Sequence, residues 1–155
     1  MTFTAKEDYG LRASLVLAAS WVDREAGAAK QPLQARDIAA HQQIPEPFLE
    51  QVLATLRRAG IVTAVRGSSG GYELARSPDK ISAADILRAL SGPLVPSKLL
   101  ERNLAGATPE RVAIRISVWN AIDHSLAHTL EQLTLTHLLD EARASIVLDA
   151  YGMHI

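Results

Sequence analysis

Two short β-type runs, "IVTAV" and "YELA", are separated by "RGSSGG", and this stretch limits the fold of the 155-residue chain more sharply than any other. A phosphate-cradling loop would lead into a helix and, in its P-loop form, would end in Gly-Lys-Ser or Gly-Lys-Thr. Here a strand-type run follows, and the loop has no lysine. A β-hairpin with a long glycine-rich tip is therefore expected. The glycines allow the backbone to come close to whatever the tip touches, and Arg66 sets a cation at its edge.

The segments before the hairpin decide what it belongs to. Thr4 to about Ser20 reads as a helix with apolar residues on two sides, Leu11, Leu15 and Ala18 on one and Tyr9, Ala13 and Val16 on the other. Such a wide stripe predicts burial against several partners. "DREAGAAKQP", with Gly27 and Pro32, breaks the pattern into a loop, and a short helix is expected at 35–40 with Ile38 inward. In "HQQIPEPFLEQVLATLRRAG", Pro45 and Pro47 fit only a turn and a first helical turn. Leu49, Val52, Leu53 and Leu56 then repeat at helical spacing, with Gly60 suited to follow the helix end. The opposite face, Pro47, Glu50, Gln51, Ala54 and Arg58, is polar and closes on Arg57-Arg58. Helix, short helix, turn, helix, hairpin is the order of a winged helix-turn-helix. In that fold the second helix of the turn enters the major groove and the hairpin tip reaches the minor groove.

"ISAADILRAL" carries a full helix start: Ser82 as N-cap, Asp85 as the third-position carboxylate, and Ile81 with Ile86 as the hydrophobic staple. Residues 92–108 form a connecting segment, and Thr108-Pro109 opens a long helix. Along it Val112, Ile116, Trp119, Ile122, Leu126, Leu130 and Leu133 recur at spacings of three and four. One small domain cannot bury that stripe, so pairing with a second copy is expected, with Val112, Ile116, Trp119, Ile122 and Leu126 at the seam. A last helix at 135–145 and an apolar tail complete the chain. The expected fold is mainly α with a small β-hairpin wing. It divides into a winged helix-turn-helix domain over 1–91, a linker over 92–108, and the dimerisation and C-terminal helices over 109–155.

Composition is that of a soluble globular chain, with 48% hydrophobic and 21% charged residues. No apolar run reaches the roughly 18 residues of a membrane span. The N-terminus is polar and acidic rather than basic and then apolar, so export is not expected. The chain has no cysteine. That removes disulfides, cysteine zinc sites and thiolate-held clusters, and it agrees with a cytoplasmic location. The net charge is −1. A nucleic-acid surface must therefore arise from the placement of cations rather than from their excess.

"LEQVLATLRRAGIVTAVRGSSGGYELAR" resembles the signature of the Rrf-two family of bacterial transcription regulators. "MTFTAKEDYGLRASLVLA" is similar to that family's first helix, "ISAADILRALSGPL" to its fourth, and the helix from Pro109 to its dimerisation helix. The resemblance implies a homodimer on a pseudo-palindromic operator of double-stranded DNA, and the leading expectation is a repressor. It implies that Glu50 and Gln51 reach base edges, that Arg57 meets a phosphate, and that Thr4, Lys6 and Tyr9 brace the backbone. Arg66 and the tip residues Ser68, Ser69, Gly70 and Gly71, followed by Tyr72, would address the minor groove. The chain departs from the family at Pro45 and Pro47, where hydroxyl residues are common, and at Ser68-Ser69, where Pro-Gly is frequent. Many members also place three cysteines in the segment that is here 92–108. Asp8 resembles an acidic ligand of those members, but one carboxylate cannot hold a cluster.

By chemistry alone, Glu50 suits the cytosine amino group and Gln51 suits adenine, while Arg58 closes the same face as a phosphate contact. His124 and His128, four apart on a helix, could chelate a metal but lack a third ligand at fixed spacing. No metal or cofactor is expected. Neither a nucleophile–base pair nor a cofactor loop is present, so an enzyme is not expected. The rival is a dimeric interaction module that binds a metabolic enzyme and is regulated through it. The linker leucines are expected to pack as plain structure, the other outcome being an apolar pocket for a small organic effector.

Overall fold

The computed structural model describes residues 3–27, 31–150 and 152. Residues 28–30 of the first loop, and Tyr151 and residues 153–155 of the expected apolar tail, lie outside them. Helix α1 (Ala5–Glu25) begins at Thr4, whose side chain forms a reciprocal capping box with Glu7. It buries Ala13, Leu17 and Ala18. Helix α2 (Ala35–Gln42) ends where Gln43 takes a left-handed φ of 54°, and the chain turns at once into α3 (Glu46–Arg58), with proline in its first turn. Leu49, Val52, Leu53 and Leu56 are at most 1% exposed, so the apolar stripe of α3 is the centre of the core.

Strand β1 (Val62–Val65) runs antiparallel to β2 (Gly71–Leu74), with Val62 opposite Leu74 and Val65 opposite Gly71. The far edge of β2 is also paired. The Leu33 amide donates to the Tyr72 carbonyl at 3.0 Å, and the Tyr72 amide donates to the Leu33 carbonyl at 2.7 Å. A Cβ at Gly71 would lie 2.5 Å from the Leu33 oxygen, so this close pairing requires glycine. A 3-10 turn (Pro78–Lys80) leads to α4 (Ala83–Ser91), which opens with the expected capping box. The Asp85 amide donates to Ser82 Oγ at 3.2 Å, and the Ser82 amide donates to the Asp85 carboxylate at 3.0 Å.

Beyond α4 the linker buries Leu94 and Val95 and forms a 3-10 turn (Ser97–Leu100). Residues 109–132 are one continuous helix made of α5 (Pro109–Ile114), a π turn (Arg115–Trp119) and α6 (Asn120–Gln132). The π turn interrupts the 3.6-residue period, so the apolar residues do not share one face. Ile114, Ile116, Val118 and Ile122 are exposed, whereas Val112, Trp119 and Leu126 are half-buried by their own chain. Helix α7 (Leu135–Ala150) runs past its expected end and returns to the first body. The Leu135 amide donates to the Ile81 carbonyl at 2.9 Å, and Leu135 is fully buried in the same core as Leu53 and Ile86.

The start of α1 is fixed to the end of α4. Glu7, 4% exposed, accepts from the Thr4 amide and hydroxyl, each at 2.7 Å, and from the Ser91 hydroxyl. The Lys6 ammonium donates to the Leu90 carbonyl. At Gly10, a Cβ would strike the Leu90 side chain, so the two helices touch closely there. Burial alone would raise the Glu7 pKa, but the bonds from Ser91 and Thr4 outweigh it and hold it down to about 2 from an ordinary 4.5. Because the folded value is depressed, this contribution is whole above the unfolded value and fades as pH falls from about 4.5 toward about 2. Glu7→Gln leaves a hydroxyl donor without its charged acceptor and is expected to cost about 1–3 kcal/mol at neutral pH. Urea unfolding of both proteins across that acidic window should show the gap closing. A neutral-pH midpoint equal to wild type would contradict the role given to Glu7.

Candidate nucleic-acid interface

The outer face of α3 follows from the burial of its inner one. With the leucines turned inward, Glu50, Gln51, Arg57 and Arg58 are exposed. Among the described residues, the side chains of Glu50, Gln51 and Arg57 have no hydrogen bond or ion pair. Arg58 donates to Thr55 Oγ1 at 3.1 Å, and that hydroxyl donates to the Gln51 carbonyl at 3.0 Å. An open cleft of about 370 Å³ runs between this face and the start of α1, and Lys6, Gln51 and Arg58 all line it. Residues far apart in sequence thus meet around one depression.

Tyr9 packs edge-on against Phe48 with ring centroids 5.5 Å apart, and the Arg12 guanidinium lies 5.1 Å from the Tyr9 ring centre. Thr4 is exposed, but its hydroxyl is committed to the capping box. In the wing, the Gly70 amide donates to the Gly67 carbonyl at 3.0 Å and closes the tip, with Gly67 at φ 115°. Arg66, Ser68 and Ser69 are exposed at that tip and unpartnered among the described residues. A Cβ at Gly70 would collide with the Val65 and Gly67 carbonyls. Tyr72 is half-buried against the core. Thr4, Lys6, Gly70, Gly71 and Tyr72 thus build the scaffold, Lys6 through its bond to the Leu90 carbonyl, while Glu50, Gln51, Arg57, Arg58, Arg66, Ser68 and Ser69 present polar groups outward.

Several contributors carried no sequence signal. Arg24 pairs with Glu73, tying the end of α1 to β2, with 12% and 29% of the two side chains exposed. Arg76 donates to the Gly60 carbonyl at 2.9 Å and to the Lys80 carbonyl at 3.1 Å, bracing the base of the hairpin. Such partners lie far apart in the chain and follow no periodicity. Phe48 was within reach of a helical count, standing three residues before Gln51 on the same side of α3 with 41% of its surface exposed.

A polar, outward-facing second helix of a helix-turn-helix beside a glycine-tipped, cation-bearing hairpin defines a winged helix-turn-helix transcription regulator. The sequence pattern of the Rrf2 family, described as "Iron-dependent Transcriptional regulator", matches residues 3–141, and the chain belongs to that family. It is similar to an HTH-type transcriptional regulator of Synechocystis sp., 38% identical over 144 residues that cover 93% of this chain and 91% of that protein. CymR of Bacillus subtilis is 35% identical over 133 residues, covering 86% and 89% of the two chains. The solved structure of CymR, the global cysteine regulator of B. subtilis, matches with a TM-score of 0.71 at 30% identity over 91% of this chain and 98% of that one. IscR of T. potens matches with a TM-score of 0.66 at 33% identity, covering 92% and 88%. These relatives are transcription regulators rather than enzymes.

The family's iron does not fit the donors present. The chain has no cysteine, and the segment 92–108 offers Glu101 alone as a carboxylate, with no histidine. Among the described residues no three His, Asp or Glu side chains converge to hold a metal. His124 and His128 stack at 6.4 Å on the exposed side of α6 without a third ligand. Protein purified without air is expected to be colourless and free of stoichiometric iron. A visible absorbance band that persists and tracks bound iron would contradict this.

Proposed function

We propose that the chain is a cytoplasmic, homodimeric repressor that reads a pseudo-palindromic DNA operator. The observation that carries this is the pairing of an exposed polar face on α3 with an exposed cation at the wing tip. In this reading α3 enters the major groove, Glu50 accepts from cytosine and Gln51 pairs with adenine. Arg57 and Arg58 meet phosphates, and Arg66 enters the narrow minor groove, where negative potential is concentrated. Lys6, at the rim of the same cleft, and Tyr9, packed on Phe48 of that rim, support the phosphate contact. A dimer seated in this way occludes the DNA it covers, which supports repression.

The exposed Ile116, Val118 and Ile122 support dimerisation. Adjacent apolar side chains 40–56% exposed on a single helix are a patch that a second copy would cover. Val112, Trp119 and Leu126 stand beside this patch, half-buried.

Mobility shifts on selected operator DNA test the assignment. Arg66→Ala should weaken specific binding. Glu50→Ala should relax base preference by about 1–3 kcal/mol of discrimination, and Arg58→Ala should lower affinity evenly and reduce the salt slope. Wild-type affinity in Arg66→Ala, or an unchanged consensus selected by Glu50→Ala, would contradict the proposal. Ile122→Asp buries a charge in the paired helices and should yield monomer or insoluble protein. A soluble wild-type monomer in light scattering would remove the premise.

A further inference from the structure

The linker does not lie flat on the long helix. Leu99 and Leu104 from the linker and Ile114 and Trp119 from the helix wall an open cleft of about 460 Å³. That volume is within the range of small-molecule sites. Arg115 and Trp119, the two ends of the π turn and four residues apart on one side of the helix, both line it. Arg115 then holds the rim: Nη2 donates to the Leu100 carbonyl at 2.9 Å and Nε to the Glu101 carbonyl at 3.1 Å. Single π turns inside α-helices recur at functional sites.

The charges around the cleft are unbalanced. Lys98, Arg111 and Arg115 line it against one carboxylate, Glu101. Among the described residues the Lys98 ammonium has no partner. Arg111 meets Glu101 only at 3.8 Å, with both side chains more than half exposed, so that pair is loose and contributes little. An apolar wall with spare cations at its mouth suits one ligand chemistry. A neutral apolar molecule would leave the cations unused, and a bare inorganic anion would leave the wall wet.

We propose that this cleft binds a small organic carboxylate with an aromatic or branched apolar body. The head group would meet Lys98 and Arg111, and the body would lie against Trp119, Leu104 and Ile114. The 3-10 turn on its rim belongs to the linker that leaves α4 directly after Leu90 and Ser91. Those two residues bond Lys6 and Glu7 at the start of α1, beside the cleft of α3. Occupancy that shifts the turn therefore pulls on the edge of the reading face. The coupling, though not the binding, rests on the DNA-reading proposal.

Trp21→Phe leaves Trp119 as the sole tryptophan of the chain. Titrating this protein with benzoate and phenylacetate should give a saturable change in Trp119 emission, absent with benzyl alcohol and with acetate. Lys98→Ala should weaken the response about tenfold, and the Lys98→Ala, Arg111→Ala double variant should abolish it. No saturable response to either aromatic carboxylate would overturn the site, as would an undiminished response in the double variant or an equal response to benzyl alcohol. Mobility shifts with benzoate present read the coupling: a changed DNA affinity supports it, and an unchanged affinity at saturating benzoate overturns it. A protein that binds no DNA at all would sink the DNA-reading proposal and leave the fluorescence titration to decide the site.

Discussion

Glu7 keeps a charged carboxylate inside the protein, and it does so only because donors from two separate elements converge on it. A buried carboxylate without partners would take up a proton or expel itself to water. Here the Thr4 amide and hydroxyl come from its own helix start, while the Ser91 hydroxyl comes from the end of α4. The bond from Lys6 to the Leu90 carbonyl runs alongside, and the missing side chain at Gly10 lets the helices close to contact. Three neighbouring residues of α1 therefore fix its position over α4. Everything outward of that joint inherits its placement.

Two surfaces depend on the joint. On one side, the start of α1 forms a wall of the cleft whose other wall is α3, so Lys6 is set beside Gln51 and Arg58, and Tyr9 against Phe48. On the other, the linker leaves α4 from the residues that bond Glu7, so its path toward the long helix begins fixed. The wing depends on a second set of constraints. Leu33 pairs with β2, Arg24 pairs with Glu73, and Arg76 ties the hairpin base to the end of α3. Rigidity at the base leaves the glycine-rich tip as the part free to adapt to a partner.

The helices, the turn and the hairpin were legible because each rests on a local rule. Helical spacing of leucines set α3, the Ser82–Asp85 box set α4, Thr108-Pro109 set the long helix, and the glycine run set the wing. The outward residues of α3 were legible as the complement of its buried stripe. What escaped was the joinery. The Thr4–Glu7 capping box was readable as Thr-x-x-Glu and was missed, but the Ser91 hydroxyl that completes the site is 84 residues away from that carboxylate. The Leu33–Tyr72 bridge and the π turn likewise leave no periodic trace. The stripe that looks uniform in sequence is accordingly divided, Ile116 and Ile122 being exposed while Val112, Trp119 and Leu126 are half-buried.

The central claim is that α3 and the wing tip form one DNA-reading surface, presented twice by a dimer. Hydroxyl-radical footprinting on a site selected from random DNA addresses it directly. The account predicts two protected half-sites whose centres lie about one helical turn, 10 base pairs, apart or a multiple of it. It also predicts that Arg66→Ala removes the minor-groove protection while leaving the major-groove segments. A single protected segment, or an Arg66→Ala footprint identical to wild type, would contradict it.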